Sequence, residues 1–363
     1  MGPWNRLTVR ADTQRSKDSI MTTANERIEA ARAKFGRRLA ILGHHYQSDA
    51  IIRHVDIQGD SLELARKIDA LDAEHVVFCG VYFMAESAAA LARAGQKIHI
   101  PDPSATCPMA DMAPAQRLED VLIELRSQGR LVIPLAYVNS SAEVKAICGL
   151  YGGSVCTSAN AKVMLEWALG QGDAVLFLPD KHLGGNTANQ LNLQAGERLQ
   201  ISLRKNGPVV DHKKAAHARL LLWPGSCAIH HMLKKQDIEA VRKAMPGVRV
   251  VVHPECSPAV VRAADSAGST SHIIRYCAEA KPGQVIAVGT EANLVLRLAA
   301  RHKAEGKTIV PVKALRCSNM AKTTEERLAD LLDNLESATP ITLADDVAEH
   351  ARVALTRMLQ ICS

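Results

Sequence analysis

The stretch RLAILGHHYQS, residues 38–48, runs from an apolar segment straight into a polar cluster. Two other stretches repeat this design, RLVIPLAYVNSS at 130–141 and VRVVVHPECS at 248–257. Each is followed by two further apolar runs rich in Val, Ile and Leu, which gives nine runs in three sets of three. Such runs, separated by amphipathic segments, are typical of parallel strands buried on both faces. The sequence therefore predicts an α/β protein of three similar three-layer αβα units with parallel sheets, packed with pseudo-threefold symmetry.

The repeats also set the predicted domain organisation. The third apolar run of each set leads into a loop with a cysteine, ATCPM, GSCAI or RCSNM. From opening cluster to cysteine the first and third sets span about 60 residues, whereas the second spans close to 90, so we expect an insertion or surface excursion there. The predicted segments are a disordered lead-in at 1–24, a first unit at 25–128, a second unit at 129–246 with its insertion near 184–218, a third unit at 247–340 and a C-terminal helix at 341–363.

Length and composition exclude several classes of protein. The 363 residues are 47% hydrophobic and 23% charged, which is ordinary for a globular protein. No apolar run approaches the roughly 18 residues that cross a bilayer, so we expect no membrane contact. The net charge of +6 is scattered and only 3% of residues are aromatic, which argues against nucleic-acid binding. Nine cysteines without an apolar signal segment predict a cytoplasmic protein with free thiols.

Three cysteines hold equivalent places in the three repeats. Cys107, Cys227 and Cys317 each follow the third apolar run of their set. Ligands of parallel sheets bind beyond the carboxyl ends of the strands, so threefold packing would bring these thiols together. Three converging thiolates suit a soft metal centre, either zinc with one non-protein ligand or a four-iron cluster with one open iron, and their spacing does not choose between the two.

The other six cysteines are expected to have no such role, because a lone cysteine is usually a small buried hydrophobic residue. Two of them lie at strand ends, and Cys256 in HPEC is the main competitor for a ligand position. These six residues are Cys79, Cys148, Cys156, Cys256, Cys277 and Cys362.

Hydroxyl side chains precede a helical segment in each repeat. Ser61 lies in GDSLELA, Ser158 in CTSAN, and Ser269 with Thr270 in GSTS. Together with the free N–H groups of a first helical turn, such hydroxyls can hold a carboxylate or a phosphate. The alternative is that each one only caps its helix.

A third group of side chains offers proton transfer and hydrogen bonding. Most of these residues end an opening strand, where they would face the predicted cavity. We expect Glu255 to be the general base, because a carboxylate in a partly dry pocket has its pKa raised towards neutrality. The group consists of His44, Tyr46, Tyr137, Asn139, His230, His253 and Glu255.

Ten motifs occur along the chain in the order GHHYQ, GDSLELA, YVNSSAEVKA, CTSANA, PDKHLG, GSCAIH, HPEC, GSTS, VGTE and CSNM. Their order and context resemble the quinolinate synthase family, type A, over roughly residues 39–335. The resemblance implies a triplicated αβα fold around a [4Fe-4S] cluster with three protein ligands. It also implies condensation of iminoaspartate with dihydroxyacetone phosphate to quinolinate, phosphate and water in de novo NAD biosynthesis.

The same resemblance implies a role for each candidate residue. An open iron would act as a Lewis acid without net electron transfer. It further implies an aspartate-oxidising enzyme upstream and leaves a homodimer among the options for assembly. The implied roles are cluster ligation by Cys107, Cys227 and Cys317, orientation or protonation of the triose by His44 and Tyr46, binding of substrate carboxylate by Tyr137 and Asn139, proton transfer by Glu255, binding of anionic groups by Ser158, Ser269 and Thr270, completion of the pocket by His230 and His253, and substrate contact by Ser61.

Two other functions fit parts of this pattern. A diphthamide-type enzyme resembles the triplicated three-cysteine design but acts on a protein through radical cleavage of S-adenosylmethionine. A non-catalytic iron-sulfur or zinc sensor would explain the cysteines. It would not explain why Tyr46, Glu255 and the GSTS loop gather at the same strand ends.

Overall fold

A computed structural model describes residues 23–68, 70–203 and 211–362. Most of the predicted lead-in, residues 1–22, and residues 204–210 of the predicted insertion lie outside the described residues. The described residues form three sheets of four, five and four strands, and every strand pair among them is parallel. The first sheet and its helices consist of α1 Ala24–Phe35, β1 Leu39–His44, α2 Asp49–Ile52, β2 Ile57–Gly59, α3 Ser61–Ile68, β3 His75–Cys79, α4 Tyr82–Leu91, β4 Lys97–His99, α5 Pro108–Asp111 and α6 Ala115–Arg126.

The second and third sheets follow in the same style. The second comprises β5 Val132–Tyr137, α7 Ala142–Leu150, β6 Ser154–Cys156, α8 Ala161–Leu169, β7 Ala174–Leu178, α9 Lys181–Gln190, β8 Arg198–Gln200, α10 His212–Ala215, β9 Leu220–Leu222, α11 Ala228–His231 and α12 Lys235–Ala244. The third comprises β10 Arg249–Val252, α13 Pro258–Ala263, β11 Ser266–Ala267, α14 Thr270–Ala278, β12 Val285–Gly289, α15 Ala292–His302 and β13 Thr308–Pro311, followed by α16 Glu325–Asp333 and α17 Asp345–Ile361.

The three sheets share one strand order, which confirms the predicted fold class. The orders are β2-β1-β3-β4, β6-β5-β7-β9 and β11-β10-β12-β13, with β8 as an added fifth strand beside β9. All nine predicted strands are present. The prediction was incomplete, because it missed the short strands β2, β6, β8 and β11. Each of these strands pairs with a neighbour on one side only. It spans two or three residues, which are too few to show a periodic pattern of apolar residues in the sequence.

Local signals in the sequence account for where the first helix begins and ends. Thr23 accepts the N–H of Glu26, and the Glu26 carboxylate accepts the N–H of Thr23, which is a capping box. Gly36 ends the helix with φ of 51°, a conformation that costs glycine little. Thr23 and Gly36 therefore fix the two ends of α1.

The last two helices pack back onto earlier parts of the chain. Leu328 and Leu332 of α16 share a buried cluster with Ile28 and Phe35 of α1. Helix α17 lies against α7, so closely that a Cβ on Gly149 would be 2.1 Å from the carbonyl oxygen of His350. The predicted domain boundaries stay a prediction. No helix in the described ranges is long and apolar enough to cross a bilayer.

Candidate active site

One cavity is lined by residues that lie at the ends of strands from all three sheets. At the carboxyl ends of the opening strands β1, β5 and β10, where the chain turns, three pairs of side chains two residues apart line the cavity. These pairs are His44 with Tyr46, Tyr137 with Asn139, and His253 with Glu255. The structure thus brings the predicted third group together, since His230 also lines the cavity.

Cys107, Cys227 and Cys317 line the same cavity, as predicted from the repeat. Each begins a tight turn in which its carbonyl oxygen accepts the N–H four residues later, from Asp111, His231 and Ala321 respectively. The three thiols are partly exposed and unpaired, and all nine cysteines are free. Equivalent sequence positions therefore produce equivalent local geometry at one site.

The donor set fits a soft metal centre. Burial raises the pKa of Cys107 to about 12 and that of Cys227 well above its usual range, so a bound cation is needed to favour the thiolate forms. The Cys227 thiol also forms a group with His230 and Glu255 whose ligand atoms lie within 4.8 Å of one another. Three thiols from separate loops, next to a carboxylate and an imidazole, form a donor set that suits a soft metal ion or metal cluster.

The structure places the competing cysteines elsewhere. The Cys256 side chain is fully buried, points its sulfur towards the Gly289 carbonyl oxygen and is not among the residues that line the cavity. Cys79, Cys148 and Cys277 are buried among apolar side chains, as expected of small core residues.

Three of the four predicted hydroxyl residues line the cavity. Ser61, Ser158 and Thr270 follow the short strands β2, β6 and β11 and face the cavity. Ser269 does not line it, because its Oγ caps α14 by accepting the His272 N–H at 3.3 Å. For Ser269, the hydroxyl is therefore a helix cap beside the cavity, which was the alternative expected for these residues.

The Glu255 carboxylate is fully enclosed and bound to an imidazole. His230 Nδ1 lies 2.5 Å from Glu255 Oε2, and the side chains of His230 and Glu255 are each only 2% to 3% exposed. Burial alone would raise the pKa of Glu255, but the adjacent His230, which also hydrogen-bonds to the carboxylate, outweighs burial and lowers it. The expectation of a raised pKa was therefore wrong in sign.

The other imidazoles in the cavity are held neutral. Burial lowers the pKa of His44 to about 3, with His45 and His253 acting in the same direction. Burial also lowers the pKa of His253 to about 3, with its stacked neighbour His230 adding to the effect. These two rings can therefore offer one N–H and one lone pair each to a bound molecule.

A sequence comparison identifies the family to which this geometry belongs. The profile of the family described as quinolinate synthetase A protein matches residues 26–360. The chain belongs to this family. The resemblance predicted from the motifs is therefore confirmed over nearly all of the described residues.

Individual relatives agree with the family assignment. The chain is 42% identical to a quinolinate synthase of Acidobacterium capsulatum over 345 residues, which cover 93% of this chain and 92% of that one. It is 43% identical to a quinolinate synthase of Herpetosiphon aurantiacus over 349 residues, again 93% and 92% of the two chains. A Streptomyces coelicolor quinolinate synthase is 42% identical over 344 residues, 92% of this chain and 87% of the relative.

Sequence reasoning missed two buried residues that contact the site. The Asp180 carboxylate accepts the backbone N–H of Cys227 at 2.9 Å and also caps α9. The Thr290 hydroxyl lies between Tyr46 and His230. Their motifs, PDKHLG and VGTE, gave the available signal, because each places a polar residue directly after a buried strand.

Proposed function

We propose that this protein is a transferase that condenses iminoaspartate with dihydroxyacetone phosphate to give quinolinate, phosphate and water. The observation that carries the proposal is the single cavity in which three free thiols, a buried carboxylate and several hydroxyls meet. Relatives named quinolinate synthase at about 40% identity support it. Quinolinate, the product of this reaction, would be a precursor in the synthesis of NAD.

Cys107, Cys227 and Cys317 would hold a [4Fe-4S] cluster, leaving one iron without a protein ligand. When bound, such a cluster supplies Lewis acidity towards substrate oxygen atoms. A zinc ion held by the same thiols is the alternative. Iron and sulfide analysis would distinguish the two, because a zinc site contains neither iron nor sulfide.

Polar groups on the cavity wall would bind and orient the substrates. Asn139 Oδ1 is buried without a partner, and an unsatisfied buried amide is costly, so a substrate polar group is expected to supply the missing hydrogen bond. Tyr137 stands two residues away and would bind the same carboxylate-bearing end. Ser158 and Thr270 would hold anionic groups, with Ser61 as a further contact, while Ser269 keeps their backbone in place as a cap.

Proton transfer would centre on Glu255. Its carboxylate is an acceptor held in place by His230, so it can take a proton from the bound imine or triose and return it to a departing oxygen. His44 and Tyr46, which come from the first repeat, would orient or protonate the triose. His253 would complete the pocket as a neutral hydrogen-bonding ring.

The cellular setting follows from the chemistry of the substrates and thiols. Iminoaspartate hydrolyses readily, so an aspartate-oxidising enzyme must supply it. Nine unpaired cysteines favour a reducing compartment, which for this protein we propose is the cytoplasm. A homodimer stays one option for its assembly.

The decisive experiment combines anaerobic purification with analysis of the metal and the product. We expect four irons and four sulfides per chain, a [4Fe-4S] Mössbauer spectrum, and quinolinate formed from the two substrates. Cys107→Ser, Cys227→Ser and Cys317→Ser should each lose the cluster. Cys79→Ser and Cys277→Ser are the matched controls and should retain it. Full iron content in any of the first three variants would contradict the ligand assignment.

The same preparation separates the competing functions. Cleavage of S-adenosylmethionine with modification of a protein, and no quinolinate, would favour a diphthamide-type enzyme. An intact cluster without either activity would favour a sensor.

A further inference from the structure

Helix α9 of the second repeat sends one side chain into the opening loop of the third repeat. Asn186, the sixth residue of α9, donates from Nδ2 to the carbonyl oxygens of Pro254 and Cys256, at 2.8 Å in both cases. These two carbonyls flank Glu255 in the chain. The Asn186 side chain is buried, and its NH₂ group must face the carbonyls because both of them can only accept. The backbone on either side of Glu255 is therefore fixed by another repeat.

Helix α15 of the third repeat makes the same contacts with the opening loop of the first repeat. Arg297, the sixth residue of α15, donates from its guanidinium to the carbonyl oxygen of His45, at 2.9 Å, and to that of Gln47. These carbonyls flank Tyr46 and occupy the same places in their repeat as the two that Asn186 holds. The second repeat thus holds the third, and the third holds the first.

The first repeat departs from this pattern. The sixth residue of α4 is Ser87, whose hydroxyl donates to the carbonyl oxygen of Phe83 in its own helix at 2.7 Å. The opening loop of the second repeat is held from within instead, because the buried ammonium of Lys145 donates to the carbonyl oxygen of Ser140, next to Asn139. A long basic side chain therefore supports this loop where the equivalent helix position is serine.

We propose that Asn186 and Arg297 are positioning residues, which hold the backbone on both sides of Glu255 and Tyr46 and so fix where these two side chains meet the substrate. The inference rests on the proposed function. Both loops lie beyond the ends of their strands, so the support comes from side chains of a neighbouring repeat. Proton transfer needs its donor and acceptor within hydrogen-bond reach, and a displacement of about 1 Å can lower a rate about 100-fold.

Asn186→Leu removes both donors and keeps a side chain of similar size. We expect kcat to fall about 100-fold while KM stays within about twofold, because Glu255 is displaced from the reacting atoms. Asn189→Leu is the matched control on the exposed face of the same helix, where the Asn189 amide oxygen accepts from Arg198. This control should keep the wild-type rate.

A double variant separates the positioning of Glu255 from a general structural role. Asn186→Leu is combined with Glu255→Gln, which itself lacks the base. If Asn186 acts through Glu255, the double variant should be at most about threefold slower than Glu255→Gln alone, because both changes remove one shared function. A residue that only stabilised the fold would lower the rate by the same factor in both backgrounds.

Substitutions of Arg297 test the other half of the proposal and decide it if Asn186→Leu does not fold. Arg297→Met should lower kcat about 10-fold, a smaller loss because Asn293 Nδ2 still donates to the Tyr46 carbonyl oxygen at 3.1 Å. Arg297→Lys should recover part of that loss, since an ammonium still donates but lacks the fork that serves two acceptors. Asp49→Asn removes the exposed ion pair with Arg297 and keeps the carbonyl contacts, so this control should retain the wild-type rate.

Two results would overturn the proposal, with rates compared per bound cluster from the iron and sulfide content of each variant. One is an Asn186→Leu or Arg297→Met enzyme as fast as its matched control. The other is the same fold loss from Asn186→Leu in the wild-type and Glu255→Gln backgrounds. Each is measured against a wild type that forms quinolinate. A cluster-loaded wild type that forms none would overturn the proposed function itself, so the two failures are distinguishable.

Discussion

Asp180→Asn tests how the loop that carries Cys227 is held. In the wild type, Asp180 Oδ1 accepts the N–H groups of His182 and Leu183 at 2.8 and 2.7 Å, and Oδ2 accepts that of Cys227 at 2.9 Å. Asparagine keeps the first oxygen and replaces the second with an NH₂ group. The helix cap is therefore retained, while a donor is turned towards the Cys227 N–H.

The expected magnitude follows from burial. The Asp180 side chain is completely shielded from solvent, so the NH₂ group of Asp180→Asn cannot bond to water instead of meeting the Cys227 N–H. A buried donor left without its acceptor costs about 2 kcal/mol, within the range of 1–3 kcal/mol for such groups. If the whole cost falls on the closed form of the loop, the open fraction rises about 30-fold, since 1.4 kcal/mol is a factor of ten.

Cluster loss to a chelator measures this opening directly. We expect anaerobic Asp180→Asn protein to release iron about 30 times faster than the wild type, because the release rate follows the open fraction when the loop opens and closes faster than iron leaves. Asp265→Asn is the matched control, because the Asp265 carboxylate accepts the backbone N–H of Val250 at 2.6 Å and does not line the cavity. Equal release rates in Asp180→Asn and the wild type, or in Asp180→Asn and Asp265→Asn, would refute the reasoning.

Two further predictions concern stability, measured as the urea midpoint and slope. Gly149→Ala should destabilise the fold by about 3 kcal/mol, because its Cβ would meet the backbone of His350 at 2.1 Å. Gly185→Ala, in a helix with open space around it, should stabilise by about 0.5–1 kcal/mol, and the opposite order would contradict this. Lys145→Met should cost about 2 kcal/mol, because the fully buried ammonium donates to the Ser140 carbonyl oxygen; an unchanged midpoint would disprove that role.

The main strands were predictable because strands buried on both faces are continuous apolar runs. In β7, Ala174–Leu178, every residue is buried, so a pattern of apolar residues alone identifies it. In β8, Arg198–Gln200, no residue is buried and the strand is held by pairing with β9 alone. Its existence depends on a neighbour some twenty residues away, which no local pattern encodes.

Site residues that occupy equivalent positions in the three repeats could be predicted from the sequence. Properties that depend on contacts between different repeats could not. Cys107, Cys227 and Cys317 could be found by aligning the three units. The pKa direction of Glu255 could not, because it depends on His230, which comes from the preceding unit. Thr290 escaped notice for the same reason, since its two partners are 244 and 60 residues away.

Comparison of the three repeats suggests why one site combines symmetry with asymmetry. The position after the third strand is cysteine in every repeat, as expected if three equivalent corners of one inorganic centre need the same donor. The pairs that end the opening strands differ, with His44 and Tyr46 in the first repeat and His253 and Glu255 in the third. Two different substrates present different chemical groups to the cavity, so identical side chains from the three repeats would leave some of those groups without a suitable partner. On the proposed assignment, the repeat preserves the metal ligands and has diverged at the positions that face substrate.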